Sequence, residues 1–171
     1  MTNFSGRISG CQKSFDVSRE IAPLNPVCIA CGPANPCGLH INFRCRNDRV
    51  YASWSPTRDW ASFEGTIHGG IVSTVLDEAM SKAVIAAGYE ALTAELRVRF
   101  RVRIAPGDRL NVTSWLVEKR RGLITAEAQI TGEDGQERAR GWGKFLVARS
   151  PNSTTAPFRG LPTTTRTKDD D

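Results

Sequence analysis

The sequence predicts an α+β fold in which one long helix packs on an antiparallel β-sheet. Between Gly70 and Gly88 there is neither proline nor glycine, and the apolar side chains recur at helical spacing. On both sides of this segment apolar and polar residues alternate, which is the period of a strand. The predicted order along the chain is ββ-α-ββββ, with hairpins joining most of the strands.

The first two strands are predicted as a hairpin over residues 39–54, because alternating runs flank the turn signal of Asn47 and Asp48. Residues 55–67 form the loop before the helix, and Gly88 ends the helix. The next strand is marked by apolar residues at every second position: Leu96, Val98, Phe100, Val102 and Ile104. Three more strands are predicted at 109–118, 122–131 and 138–148.

The 171 residues suit one domain, and 40% apolar with 24% charged residues is an ordinary globular composition. We predict a poorly ordered N-terminal segment over 1–26, a domain over 27–149 and a flexible tail over 150–171, which is rich in Pro, Thr and Ser. No apolar run approaches the roughly 20 residues of a membrane span. Because residues 1–15 lack a secretory pattern, we expect reduced thiols, a cytoplasmic location and no membrane partner.

The residues from 65 to 79, GTIHGGIVSTVLDEA, resemble a signature of hotdog-fold thioesterases, in particular those similar to the phenylacetic-acid-pathway acyl-CoA thioesterases. In that family His-Gly-Gly opens the central helix and an acidic residue follows nine positions after the His. The matching residues here are His68, Gly69, Gly70 and Asp77. With weaker matches elsewhere, the resemblance covers roughly 28–148. It implies a hotdog acyl-CoA thioesterase, acting as a dimer or tetramer on a small, medium-chain or aryl acyl-CoA.

Thioester hydrolysis needs a base or nucleophile and donors aimed at the oxygen that becomes negative. The N–H groups of Gly69 and Gly70 at the helix start suit the second role. Asp77 lies on the same face as Gly70 but roughly 10 Å along the axis, which is too far for both to reach one carbonyl. The resemblance implies that each site combines the helix start of one subunit with the carboxylate of the other. We therefore expect Asp77 to act as base or nucleophile, and an isolated monomer to be inactive.

Three further residues are candidates near this site. Glu78 is a reserve carboxylate, pointing about 100° away from Asp77. His68 is expected to position the loop or substrate rather than to transfer protons. Ser62 stands where related thioesterases often have Asn or Gln to hold the substrate carbonyl or the attacking water. It therefore acts through a water, or hydrolysis is weakened.

The net charge of +5 raises the question of an anionic partner. Arg97, Arg99, Arg101 and Arg103 are predicted to share one strand face, as a solubilising or oligomer surface or as a phosphate site for coenzyme A. For the phosphate role Arg101 and Arg103 lie nearest the turn. Because only Phe100 lies among them, and on the opposite face, we expect no nucleic-acid partner.

The pattern Cys28-x2-Cys31-x5-Cys37-x2-His40 contains four residues of zinc-ligating type. The gap between its halves is shorter than in most zinc knuckles, and His40 is placed on a strand. We therefore expect buried thiols in a Gly/Pro-rich loop, with no metal and no other cofactor.

Two other functions remain open. A hotdog 3-hydroxyacyl dehydratase also pairs a loop His with a helix carboxylate, but the loop signature with Asp and His a few residues apart is absent. A non-catalytic acyl-CoA-binding hotdog protein is suggested by Ser62.

Overall fold

The computed structural model describes residues 18–149, so the predictions for 1–17 and 150–171 lie outside the described residues. The elements follow one another in the predicted order, with additional short strands. They are β1 (Arg19–Glu20), β2 (Arg44–Arg46), β3 (Arg49–Trp54), a 3₁₀ turn (Arg58–Trp60), β4 (Ala61–Phe63), β5 (Thr66–Ile67), α1 (Gly69–Ala86), β6 (Glu90–Phe100), β7 (Leu110–Arg120), β8 (Leu123–Gly132) and β9 (Glu137–Arg149).

Seven strands form one antiparallel sheet in the order β1-β2-β3-β7-β8-β9-β6, and β4 pairs with β5 in a separate hairpin. Helix α1 packs on one face of this sheet, where its fully buried side chains meet those of β8. The core residues of these two elements include Val75, Leu76, Ala79, Met80, Ile124, Ala126, Ala128 and Ile130. The predicted α+β hotdog architecture is confirmed.

Two glycines of β9 allow the helix to approach the sheet closely. A Cβ added at Gly141 would lie 3.2 Å from the Leu76 side chain, and one added at Gly143 would lie 3.2 Å from the end of Met80. The helix itself matches the prediction within one residue at each end, and Gly88 follows it with φ +86°. Among the residues described, no helix combines the length and apolarity needed to cross a bilayer.

The predicted first hairpin is wrong over residues 39–43. Leu39 and Ile41 donate their N–H groups to the carbonyl oxygens of Ile29 and Ala30, at 2.7 and 3.0 Å, instead of pairing within the sheet. Apolar and polar residues still alternate over 39–43, because Ile41 and Phe43 are buried against the core. Residues 19–20 lie in the segment that the sequence predicts to be poorly ordered, but they form a strand that pairs with β2.

The strand after the helix ends earlier than predicted. Arg101 and Val102 both donate their N–H groups to the carbonyl oxygen of Arg138, at 2.8 and 3.2 Å, which breaks the alternation after β6. The expectation that four arginines share one strand face is therefore wrong, because only Arg97 and Arg99 lie on β6. The strand also begins before the predicted segment, at Glu90.

Candidate active site

The start of α1 is fixed by two neighbouring segments, the 3₁₀ turn and the connection between β6 and β7. His68 N–H donates to the Trp60 carbonyl oxygen and Ile67 N–H donates to the Ile104 carbonyl oxygen, both at 2.8 Å. His68 then caps the helix, since its Nδ1 accepts the N–H of Gly70 at 2.9 Å. The ring, its backbone and the first helical turn are therefore held as one unit.

This cap changes the roles available at the helix start. An Nδ1 that accepts a hydrogen bond leaves the proton of a neutral imidazole on Nε2, so His68 offers an N–H donor. The Gly70 N–H, expected to point at a substrate, is used by the cap, and the next two amides donate to the His68 carbonyl oxygen. Within residues 18–149, the Gly69 N–H has no acceptor. Gly69 is therefore the better candidate donor.

Phe100, at the end of β6, and Arg103, just after it, lie against two glycines near the start of the helix. A Cβ added at Gly69 would lie 3.4 Å from Cζ of Phe100, so the ring covers this glycine while remaining 55% exposed. A guanidinium nitrogen of Arg103 lies 3.4 Å from the Cβ position of Gly65, in the turn between β4 and β5. Arg101 instead pairs with Glu137. Of the two predicted phosphate ligands, Arg103 is the one that lies beside the β4–β5 turn.

Asp77 lies two turns along α1 and is half-buried. The hydroxyl of Thr93 on β6 donates to its Oδ1 at 2.8 Å. Burial raises the pKa of Asp77 above its ordinary value of 3.8; the hydrogen bond from Thr93 acts in the opposite direction, and the charge of Glu78 adds to the increase. This is a carboxylate of increased basicity held in one orientation.

Thr93 is a site residue that sequence reasoning missed. It precedes the clear alternation of β6, and the β6–β9 register shifts between Thr93 and Glu95. Such an irregularity redirects side chains locally, and no pattern in the sequence marks it.

The remaining predicted residues, Glu78 and Ser62, make no hydrogen bond to the Asp77–Thr93 pair among the described residues. Glu78 has one carboxylate oxygen 3.5 Å from Nζ of Lys82 and the other 3.8 Å from Sγ of Cys28, so it belongs to a different cluster. Ser62 lies on β4 and is exposed, beside Phe63, which is 79% exposed.

Residues 64–139 match the family model of the thioesterase superfamily. The match spans α1 and the strands from β5 to β8, so Asp77 and Thr93 both lie in the region that is similar to the thioesterase superfamily. No curated protein sequence matches the chain significantly. Among solved structures, a thioesterase-superfamily protein is similar at 24% identity with a TM-score of 0.68, over 71% of this chain and 60% of its own. The present chain therefore spans less than two thirds of that relative.

Two further structures resemble the hotdog domain. The E. coli PaaI protein from the phenylacetic acid degradation operon has 18% identity and a TM-score of 0.61, over 66% of this chain and 82% of its own. A Streptococcus mutans UA159 protein bound to acetyl-CoA has 16% identity and a TM-score of 0.59, over 81% and 94%. At these identities the likeness shows the fold.

The Asp77–Thr93 contact in the hotdog domain leads to a prediction about titration. Thr93→Val should raise the pKa of Asp77 further, because the hydroxyl is the contact that lowers it. A carbon-13 NMR titration of the Asp77 carboxyl measures this, with Thr93→Ser as a control that keeps the hydroxyl. An unchanged or lower pKa in Thr93→Val would contradict the assignment.

Proposed function

We propose that this protein is an acyl-CoA thioesterase, hydrolysing the thioester of a small, medium-chain or aryl acyl-CoA to the free acid and CoA. The observation that carries the proposal is the half-buried Asp77, oriented by Thr93 on the central helix of a region similar to the thioesterase superfamily. The acetyl-CoA bound by the similar Streptococcus mutans protein supports this choice of substrate.

In the proposed reaction the Asp77 carboxylate takes a proton from water as the water oxygen attacks the carbonyl carbon. The Gly69 N–H, at the positive end of the helix dipole, donates to the carbonyl oxygen as its negative charge grows. The carbon–sulfur bond then breaks, and the CoA thiolate takes up the proton. Direct attack by the carboxylate, followed by hydrolysis of the anhydride, uses the same two groups. Arg103, beside the β4–β5 turn, is proposed to bind the phosphates of CoA.

The two groups come from different subunits in this proposal. Asp77 is eight residues beyond Gly69, so along one helix they are roughly 12 Å apart. Two antiparallel copies of α1 would bring the start of each helix to the Asp77 of the other. Strand β6 offers the contact: it ends the described sheet, is 11 residues long and exposes Leu96 and Phe100. Long free edges with apolar side chains are usually covered.

The proposed dimer should dissociate when its β6 contact is altered. Leu96→Asp places a charge at the proposed contact and should shift the protein toward an inactive monomer. Val117→Asp is the matched control, because Val117 is an exposed apolar residue on β7, an interior strand. Light scattering after size-exclusion chromatography measures the mass of each variant. A dimer that persists in Leu96→Asp, or dissociates equally in Val117→Asp, would refute this interface.

The function is tested by free-thiol release from short, medium-chain, long and aryl acyl-CoAs. Release from at least one of them supports hydrolysis and identifies the acyl class. Two observations favour a non-catalytic acyl-CoA-binding protein instead: the Gly70 N–H is used by the His68 cap, and Ser62 lacks an amide. In that case acyl-CoA raises the melting temperature without thiol release. An enoyl product without free thiol would indicate a dehydratase.

A further inference from the structure

A second cluster of reactive side chains lies beside α1, on residues that the proposed hydrolysis does not use. One ligand atom each from Cys28, Cys31 and Glu78 lie within 4.8 Å of one another. Cys31 is buried, and Cys28 and Glu78 are partly buried. We propose that these three residues bind a zinc ion.

The loop carrying the two cysteines is built to hold them together. Gly32 donates its N–H to the Cys28 carbonyl oxygen at 2.9 Å. A Cβ added at Gly32 would lie 2.3 Å from the Cys28 backbone nitrogen, so only glycine fits there. The turn thereby brings both thiols toward Glu78, with the two-residue spacing that zinc sites use. Hydrogen bonds from Leu39 and Ile41 to residues 29 and 30 fix the loop against the domain.

Charge balance favours a divalent cation. Two thiolates and one carboxylate carry three negative charges, of which zinc offsets two. Lys82 offsets the third: it is 1% exposed, its Nζ lies 3.5 Å from Oε1 of Glu78, and it donates to the Ala22 carbonyl oxygen at 3.2 Å. Oε2, the other carboxylate oxygen, faces Cys28 at 3.8 Å and is available to the metal. The loaded cluster is therefore electrically neutral, as a buried site requires.

The ligand types favour zinc over magnesium or calcium, since thiolates select softer ions. The site differs from the four-residue pattern in the sequence, because Cys37 and His40 are not part of the cluster and Glu78 is contributed by the helix. Three protein ligands leave a fourth position for water. A bound ion would link the N-terminal loop to α1 at the residue next to Asp77.

The test uses the full chain, purified under reducing conditions. Elemental analysis and competition with a chromogenic chelator measure zinc per chain and its affinity, and cobalt(II) in place of zinc reports thiolate ligation through a charge-transfer absorption band. We expect one tight zinc per chain and a thiolate band in the wild type and in Cys37→Ser, the matched control from the same loop. Cys28→Ser and Cys31→Ser should each lower the affinity at least about 100-fold.

The proposal is overturned if the reduced wild type binds zinc no more tightly than Cys28→Ser, or if Cys37→Ser lowers the affinity as much as Cys28→Ser. It is also overturned if cobalt binds without the thiolate band, or if the reduced protein takes up no zinc and the untreated protein carries a Cys28–Cys31 disulfide. The wild-type measurements hold even where a variant fails to fold. Because Asp77 and Thr93 are not ligands, failure here would leave the proposed hydrolysis untouched.

Discussion

Asp77→Asn is expected to lower kcat for acyl-CoA hydrolysis by about 10²–10⁴-fold, which is the usual contribution of a positioned general base. The amide keeps the shape of the carboxylate and can still accept the hydrogen bond from Thr93, but it has no basic oxygen to take the proton of water. Thiol release under saturating acyl-CoA measures the effect. Glu133→Gln, at an exposed surface carboxylate, is the control and should retain wild-type turnover.

The loss of activity in Asp77→Asn should not arise from unfolding. Burial raises the pKa of Asp77 above its unfolded value, so the folded state binds more protons between the two values. The stability that Asp77 contributes is present below the unfolded pKa and is lost as pH rises through the folded pKa. At neutral pH the ionised form is therefore a net cost, and Asp77→Asn should be at least as stable as the wild type. Comparable activity in Asp77→Asn and the wild type would show that Asp77 is not the general base.

Lys82→Met is expected to lower the free energy of unfolding by about 3–5 kcal/mol, the cost of breaking a buried ion pair by removing one partner. Methionine fills a similar volume, but the Glu78 carboxylate loses its cation and the Ala22 carbonyl oxygen loses its donor. Denaturant unfolding measures the difference.

Lys144→Met is the matched control, because Lys144 pairs with Glu95 at the surface, with about half of each side chain exposed. Exposed pairs contribute at most about 1 kcal/mol. If the two variants lost the same free energy of unfolding, the buried Lys82–Glu78 ion pair would contribute no more stability than an exposed pair.

Local signals were enough to predict the start of α1 and the helical position of Asp77. The pair of glycines after His68 and the absence of proline up to residue 87 are sequence features that determine backbone geometry directly. The placement of these residues needed no knowledge of the sheet. The use of the Gly70 N–H by His68 was not foreseen, because the rotamer of a capping side chain is set by its surroundings.

Residues that act across the fold could not be predicted in the same way. Thr93 reaches Asp77 only because β6 lies beside α1 and its register with β9 shifts at that point. Glu78 contacts Cys28, which is 50 residues away in the sequence. Lys82 is buried, although lysines in helices usually face solvent and nothing in the sequence pattern marks this one as buried. These contacts depend on tertiary packing, which a single sequence does not specify residue by residue.

The central claim, that each site combines two subunits, is tested most directly by mixing two inactive variants. Asp77→Asn removes the carboxylate, and Gly70→Val places a side chain against His68, whose ring lies 2.9 Å from the Gly70 Cβ position. In a co-expressed heterodimer with shared sites, one of the two sites contains an intact helix start and an intact Asp77. We predict that thiol release returns to about half the wild-type rate per heterodimer. Continued inactivity of the folded heterodimer would contradict a site shared between subunits.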